Sequence, residues 1–395
     1  MLPHPPQSSV GKSAFKLAWK DIDAVPKQRR TPKEVSRARP DLRLPELCEG
    51  WIEARQPAPK SIYCAQQAVS QFVALIGNIP VQEIGTDDLM RYRDALKNFP
   101  ASLNRKERST PFHVLAQRFA CRRPNRARLK PGSIAKLVRQ IQCLLAFGHQ
   151  ERWIENARAH RIPLISHCDN PRRPFLREEL ASLFALDLFT RPWSKRTDNP
   201  RISADTLRWL FLIGLMTGAR VEEIGQADLD DVVRTDGSWF LRIDSYDARG
   251  MSSGKSIKTP YSRRHVPIHS RLIELGFLER VERLRKAGRI KLMPDLKRDR
   301  FERYTNDASR YLNRIINRVQ PSAGVCFHSL RHNFKDMTRS AGMLEYVSDQ
   351  ITGHAPQTMG GRYGRGVPFP VLAKEIERLK FDLIDWKTII VASRT

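Results

Sequence analysis

The 395 residues, 41% of them apolar, suffice for two domains or three and exclude a wholly disordered chain. Lys and Arg number 69 against 42 Asp and Glu, a formal net charge of +27 that points to a polyanionic partner. Nucleic acid ranks before anionic membrane, because neither a lipidation motif nor a basic amphipathic anchor accompanies the charge.

In chain order, MLPHPPQSSVGKSAF has no apolar stretch of the signal-peptide kind. Its GKS is not a phosphate loop, since Pro6 stands where the first glycine is needed. Residues 1–40 carry nine Lys/Arg and three acids, with six prolines, and read as a basic flexible arm. The six cysteines (Cys48, Cys64, Cys121, Cys143, Cys168 and Cys326) form no CxxC pair and read as reduced, mostly buried thiols of a cytoplasmic protein.

Residues 41–166 read as a helical domain of four helices. LPELCEGWIEAR and SIYCAQQAVSQFVALIG place apolar residues three and four apart, and Gly77 stops the second helix. TDDLMRYRDALKNF opens with Thr86 as N-cap and acids in its first turn. Residues 101–140 hold eleven Lys/Arg and one acid, Glu107. The stretch 101–130 reads as a basic, irregular insertion. KPGSIAKLVRQIQCLLAFGHQERWI is an amphipathic helix with Ser133 as its cap.

Residues 167–176 read as a linker. A second domain over 177–370 begins at PFLREELASLFAL and continues as helix, turn, helix through SADTLRWLFLIGLMTGARVEEIGQADLDDV. The run LRWLFLIGLMTGA is too short to span a bilayer. SWFLRIDSY and RRHVPIHS alternate as short strands. Helices follow at SRLIELGFLERVERLRKAG, NDASRYLNRIINRV, HSLRHNFKDMTRSAG and LEYVSDQITGH. PVLAKEIERLKFDLIDW closes the chain as one amphipathic helix within 371–395, with Val371, Leu372, Ile376, Leu379, Leu383 and Trp386 on its apolar face. The fold class is mainly α with a small antiparallel sheet.

If the partner is DNA and a phosphodiester breaks, negative charge grows on nonbridging oxygens. Guanidinium groups meet it best, because each donates two hydrogen bonds to one phosphate. TGARVEE sets Arg220 at a helix start with Glu223 three residues on; taken alone, this is the spacing of a surface salt bridge. HSLRH sets His328 and Arg331 on one face. It also spaces His328 and His332 as metal ligands, but Ser329 stands where a zinc-protease helix needs Glu, and Arg331 would put a cation beside the metal. Lys255 and Lys258 precede a strand; solvated turn lysines are the plain alternative, above all for Lys255. GHAPQTMGGRYGRG offers His354 and, nine residues later, Tyr363. Only about one free tyrosine in a thousand is phenolate at neutral pH, so Tyr363 needs cations or a base beside it to act as a nucleophile.

The order Arg220, Lys258, His328-x-x-Arg331, His354, Tyr363 resembles the tyrosine recombinase (phage integrase) family over roughly residues 44–370. That resemblance implies a helical core-binding domain, a catalytic domain, and cutting and rejoining of DNA through a 3′-phosphotyrosyl link. Tyr363 would attack the phosphate and Arg220 and Arg331 would clamp its nonbridging oxygens. Lys258 would protonate the leaving 5′ oxygen, His328 would accept the tyrosine proton, and His354 would hydrogen-bond the phosphate. Glu223 supports the site, and no metal, ATP or other cofactor is required. The insertion at 101–130 is longer than in the simplest members, and GRG follows Tyr363 where many members carry an aromatic residue or His.

The implied partners are double-stranded DNA with specific sites and further copies of the chain in a tetramer, in the cytoplasm on the nucleoid. The C-terminal helix would dock on a neighbouring protomer, with packing on its own chain as the alternative; delivery of Tyr363 within its own protomer is favoured. Arg122, Arg123, Arg126, Arg128, Lys130, Lys136 and Arg139 are the candidate DNA contacts. Neutralising about eight phosphates would make log K fall with log salt at a slope near −7. A type IB topoisomerase-like strand transferase, a non-catalytic DNA-binding protein and a metal nuclease are the competing readings.

Overall fold

The structure, a computed structural model, describes residues 38–121, 126–155, 162–164, 172–193, 201–247, 250–321, 324–355 and 366–394. Most of the basic arm, Arg122, Arg123, Cys168 and Tyr363 lie outside the described residues. The chain divides into two units, residues 1–57 with 64–165, and residues 58–63 with 166–395.

The first unit is helical. Its elements are α1 (Leu44–Arg55), α2 (Pro59–Ile76, which starts across the division), α3 (Thr86–Lys97), α4 (Arg105–Arg108), α5 (Phe112–Cys121) and α6 (Pro131–Gln150). Helix α6 is the hub and packs on α1 and α3. Its Val138, Ile141 and Leu145 recur at helical spacing and are buried, as are Leu89, Tyr92 and Leu96 of α3.

Two caps differ from expectation. Thr86 is the first helical residue of α3, and the preceding Gly85 donates its N–H to Asp88 Oδ2 at 3.0 Å. Helix α6 begins at Pro131, whose missing N–H and fixed φ suit a first position, so Ser133 falls inside the first turn. Within 101–121 the chain is more regular than expected. Helix α4 forms where Asn104 and Glu107 cap each other reciprocally, and α5 because Phe112, Leu115, Ala116 and Phe119 present one buried face. Arg126 pairs with Glu107 and lies over the Phe119 ring, whereas Arg128, Lys130, Lys136 and Arg139 are exposed. Of the described cysteines, all free, Cys48 is buried, Cys64 and Cys326 are half-buried, and Cys121 and Cys143 are exposed. The expectation of mostly buried thiols is therefore corrected.

The second unit runs α7 (Arg177–Phe184), α8 (Asp187–Thr190), α9 (Ala204–Thr217), α10 (Val221–Gly225), β1 (Val232–Thr235), β2 (Ser238–Ile243), β3 (Arg264–Pro267), α11 (Ser270–Glu274), α12 (Phe277–Lys286), α13 (Asn306–Val319), α14 (Ser329–Ser340), α15 (Glu345–Thr352), α16 (Phe369–Ile376) and α17 (Trp386–Arg394). The antiparallel sheet has order β1-β2-β3, with Leu241 opposite both Val232 and Val266. Strand β1 was absent from the expected elements: its four residues alternate too briefly to stand out after ADLDDV. The mainly helical class with a small antiparallel sheet holds.

Helix α9 is apolar all round because it is the core helix, with every residue but Asp205 buried. It receives α10, α14 and α8. The expected helix over 270–288 divides at Gly276, and the expected C-terminal helix divides into α16 and α17 around residues 377–385. Helix α16 packs on β2 and β3, and α17 packs on α8. Leu372, Ile376, Leu379, Trp386 and Ile389 are buried within their own chain, while Val371 is exposed. No helix among the described residues is long and apolar enough to cross a membrane.

Candidate active site

Three chain turns bring the cationic site together: the α9–α10 junction, the start of α14 and the end of α15. Gly218 ends α9 with φ 61°, a left-handed conformation open to glycine. A Cβ there would lie 2.7 Å from the Phe334 ring, so glycine is also required by packing. The freed carbonyl of Gly218 accepts from Arg331 Nη1 at 2.7 Å, tying α14 to the end of α9.

Arg220 follows as the N-cap of α10. Its own N–H donates to Glu223 Oε2 at 2.9 Å and its Nη1 to Glu223 Oε1 at 2.6 Å. The sequence spacing therefore does form the i,i+3 ion pair, but Glu223 is buried rather than solvated. Its second partner is Arg264 of β3, which donates Nη1 and Nη2 to the two Glu223 oxygens at 3.3 and 2.8 Å and Nε to the Ile351 carbonyl at 2.7 Å. Burial pushes the Glu223 carboxyl up, but the charges and hydrogen bonds of Arg264 and Arg220 outweigh it and hold the pKa below the usual range. Glu223 is the anion that holds two arginines in place, consistent with a supporting role.

Arg331 is buried and donates Nη2 to His354 Nε2 at 3.0 Å. Burial, then the charges of Arg220 and Arg264, push its guanidinium down to about 9. His328 precedes α14 as its N-cap, and its ring lies 5.3 Å from that of His332. Burial, His332, Arg331, Arg172 and Arg220 push the His328 imidazole down to about 4. The same forces depress His354: burial first, then Arg331 and Lys335, against the pull of Asp349. Cations crowded until their own charge is disfavoured form a site that an anion would relieve. Among the described residues, no group of three or more His, Cys, Asp or Glu is placed to hold a metal.

The two candidate lysines separate sharply. Lys255, expected as a solvated turn residue, is buried, with Nζ 2.7 Å from Asp231 Oδ2 and 3.2 Å from Asp228 Oδ2. It anchors the loop between β2 and β3 to the turn before β1. Lys258, three residues on in that loop, is exposed. Structure thus brings Arg220, Glu223, His328, Arg331 and His354 together and leaves Lys258 exposed on a tethered loop, six positions before Arg264; Tyr363 lies outside the described residues. Arg264, Asp349 and Lys335 were not among the expected site residues. Arg264 lay within the quoted RRHVPI, and Asp349 stands five residues before His354.

No family model and no curated protein matches the chain. Among solved structures, it is similar to the integrase of transposon Tn1549 in complex with transposon right end DNA. That match has 14% identity and TM-score 0.52 and covers 86% of this chain and 99% of that one. A second match is a lambda integrase dimer bound to a COC′ core site, at 14% identity and TM-score 0.50, covering 84% of this chain and 81% of that one. The fold is therefore that of the tyrosine recombinases.

Proposed function

We propose that this chain is a site-specific DNA recombinase that cuts and rejoins DNA through a 3′-phosphotyrosyl intermediate. The observation that carries the reading is the ring of contacts Arg264–Glu223–Arg220 beside Gly218–Arg331–His354, set in a tyrosine recombinase fold. Two guanidiniums crowded against each other can share one phosphate and neutralise the charge that grows in its transition state.

Tyr363 would attack phosphorus and the 5′ oxygen would leave with a proton from Lys258. The depressed pKa of His328 leaves its ring unprotonated at neutral pH, the state a proton acceptor needs. The bond to tyrosine keeps the phosphate activated, so a second strand's 5′-hydroxyl can replace the enzyme without ATP. Exposed Arg128, Lys130, Lys136 and Arg139 offer phosphate contacts on the first unit. The two similar structures are of DNA-bound integrases, one of them a dimer, in keeping with DNA and self-association here. A tetramer working on the nucleoid is the assembly proposed.

The test is a suicide DNA substrate carrying the repeats that flank the protein's own coding region. The protein should become covalently attached to a 3′ end, and Tyr363→Phe should abolish attachment while leaving DNA affinity nearly unchanged. A Tyr363→Phe protein that still forms the adduct would sink the assignment.

A further inference from the structure

His354 is held at both nitrogens. Its Nε2 lies 3.0 Å from Arg331 Nη2, and its Nδ1 lies 3.3 Å from Asp349 Oδ1 and 3.1 Å from Thr352 Oγ1. A guanidinium has no acceptor, so a neutral ring bonded to it must present a lone pair at Nε2. The ring proton then sits on Nδ1, where the Asp349 carboxylate receives it. This tautomer follows from the bonding pattern.

Asp349 is itself fixed. Lys335 Nζ donates to Asp349 Oδ1 at 2.8 Å, to Glu345 Oε1 at 2.8 Å and to Ser348 Oγ at 2.9 Å. Lys335 is buried, and its three donors are matched by three acceptors on α15. A buried lysine on α14 thus locks the helix that carries Asp349, and Arg331 of the same α14 meets the far side of the imidazole. The charges that bear most on the ring are those of Arg331 and Lys335 from α14 and Asp349 from α15. Arg264 of β3 lies against Gly353, the residue before it.

We propose that Asp349, braced by Lys335, is a positioning residue that holds His354 as the Nδ1–H tautomer and keeps Nε2 turned toward Arg331 and the anion Arg331 binds. When that anion draws Arg331 away, Nε2 is left free to take a proton from solvent. The ring then donates to the anion while Asp349 balances its charge. The identity of the anion as a DNA phosphate rests on the recombinase reading; the tautomer does not.

The experiment is long-range proton–nitrogen NMR on the full chain labelled at histidine, without DNA, with His354→Gln identifying the His354 signals. Near neutral pH, wild type should show Nδ1 protonated and Nε2 bare. Asp349→Asn should change the His354 spectrum, because a neutral carbonyl replaces the carboxylate as the acceptor of Nδ1–H and weakens that bond. An Nε2–H ring in wild type, or a His354 spectrum unchanged in Asp349→Asn, overturns the proposal. Should Asp349→Asn not fold, the wild-type tautomer alone decides. In the cleavage assay, Asp349→Asn should slow adduct formation by about 10–100-fold, the scale seen when the carboxylate behind a metal-bound histidine is removed. DNA affinity should hold, and Asp349→Glu should restore part of the rate. Wild-type speed in Asp349→Asn also overturns the role. If wild type forms no adduct on any DNA, the recombinase reading fails, and the NMR result stands separately.

Discussion

Arg264 grips Glu223 with both arms of its guanidinium, Nη1 to Oε1 at 3.3 Å and Nη2 to Oε2 at 2.8 Å, and both side chains are buried. Removing the carboxylate charge strands a buried cation. Glu223→Gln should therefore lose about 3–5 kcal/mol of stability, measured by urea unfolding at neutral pH. The pH sign follows from the lowered Glu223 pKa. Its contribution is full above the unfolded carboxyl pKa and is lost as pH falls through the lower folded value. The difference between wild type and Glu223→Gln should accordingly shrink in acid; a constant difference would contradict the buried pair.

His328 should act in the same direction at less acidic pH. Its folded pKa of about 4 lies below the ordinary 6.5, so between those values the unfolded chain binds a proton that the native state refuses. Stability should drop as pH falls through that window. His328→Gln should flatten part of the slope in unfolding free energy, while its adduct formation falls. Parallel slopes for the two proteins would show that the ring is not held neutral by burial and by the charges of His332, Arg331, Arg172 and Arg220.

The two loop lysines should part company. Lys255→Met takes the buried cation from Asp231 and Asp228, which keep Arg242 and Lys291, and should destabilise the chain by up to about 3 kcal/mol. Exposed Lys258→Ala should stay within about 0.5 kcal/mol of wild type. Yet it should slow adduct formation by about 10²–10⁴-fold if it supplies the leaving-group proton. A 5′ leaving group that needs no proton should rescue Lys258→Ala and leave Lys255→Met unchanged. Failure of that rescue would remove Lys258 from the acid role.

What could be read from sequence was local. Arg220 and Glu223 sit three apart at one helix start, His328 and Arg331 at another, and His354 closes a third helix at a glycine; each lies within one short motif. What could not be read was the set of partners brought from afar. Arg264 reaches Glu223 across 41 positions and Arg331 reaches Gly218 across 113, and no periodicity records such pairs. The role of Lys255 was missed for the same reason, since its fate depends on Asp231, 24 residues away. The division of the C-terminal helix escaped because an unbroken apolar stripe is compatible with a turn wherever the helix must change direction to stay on the core.

The Gly218 carbonyl has a bearing on how the site could be altered. The oxygen that receives Arg331 belongs to the main chain, so no change of side chain deletes it. A substitution at Gly218 can only swing it, by forcing a residue with a Cβ into a left-handed turn pressed against Phe334. The separation of the two site arginines is consequently a property of peptide geometry. An engineer who wished to retarget this centre to a differently shaped ester would have to rebuild the turn itself.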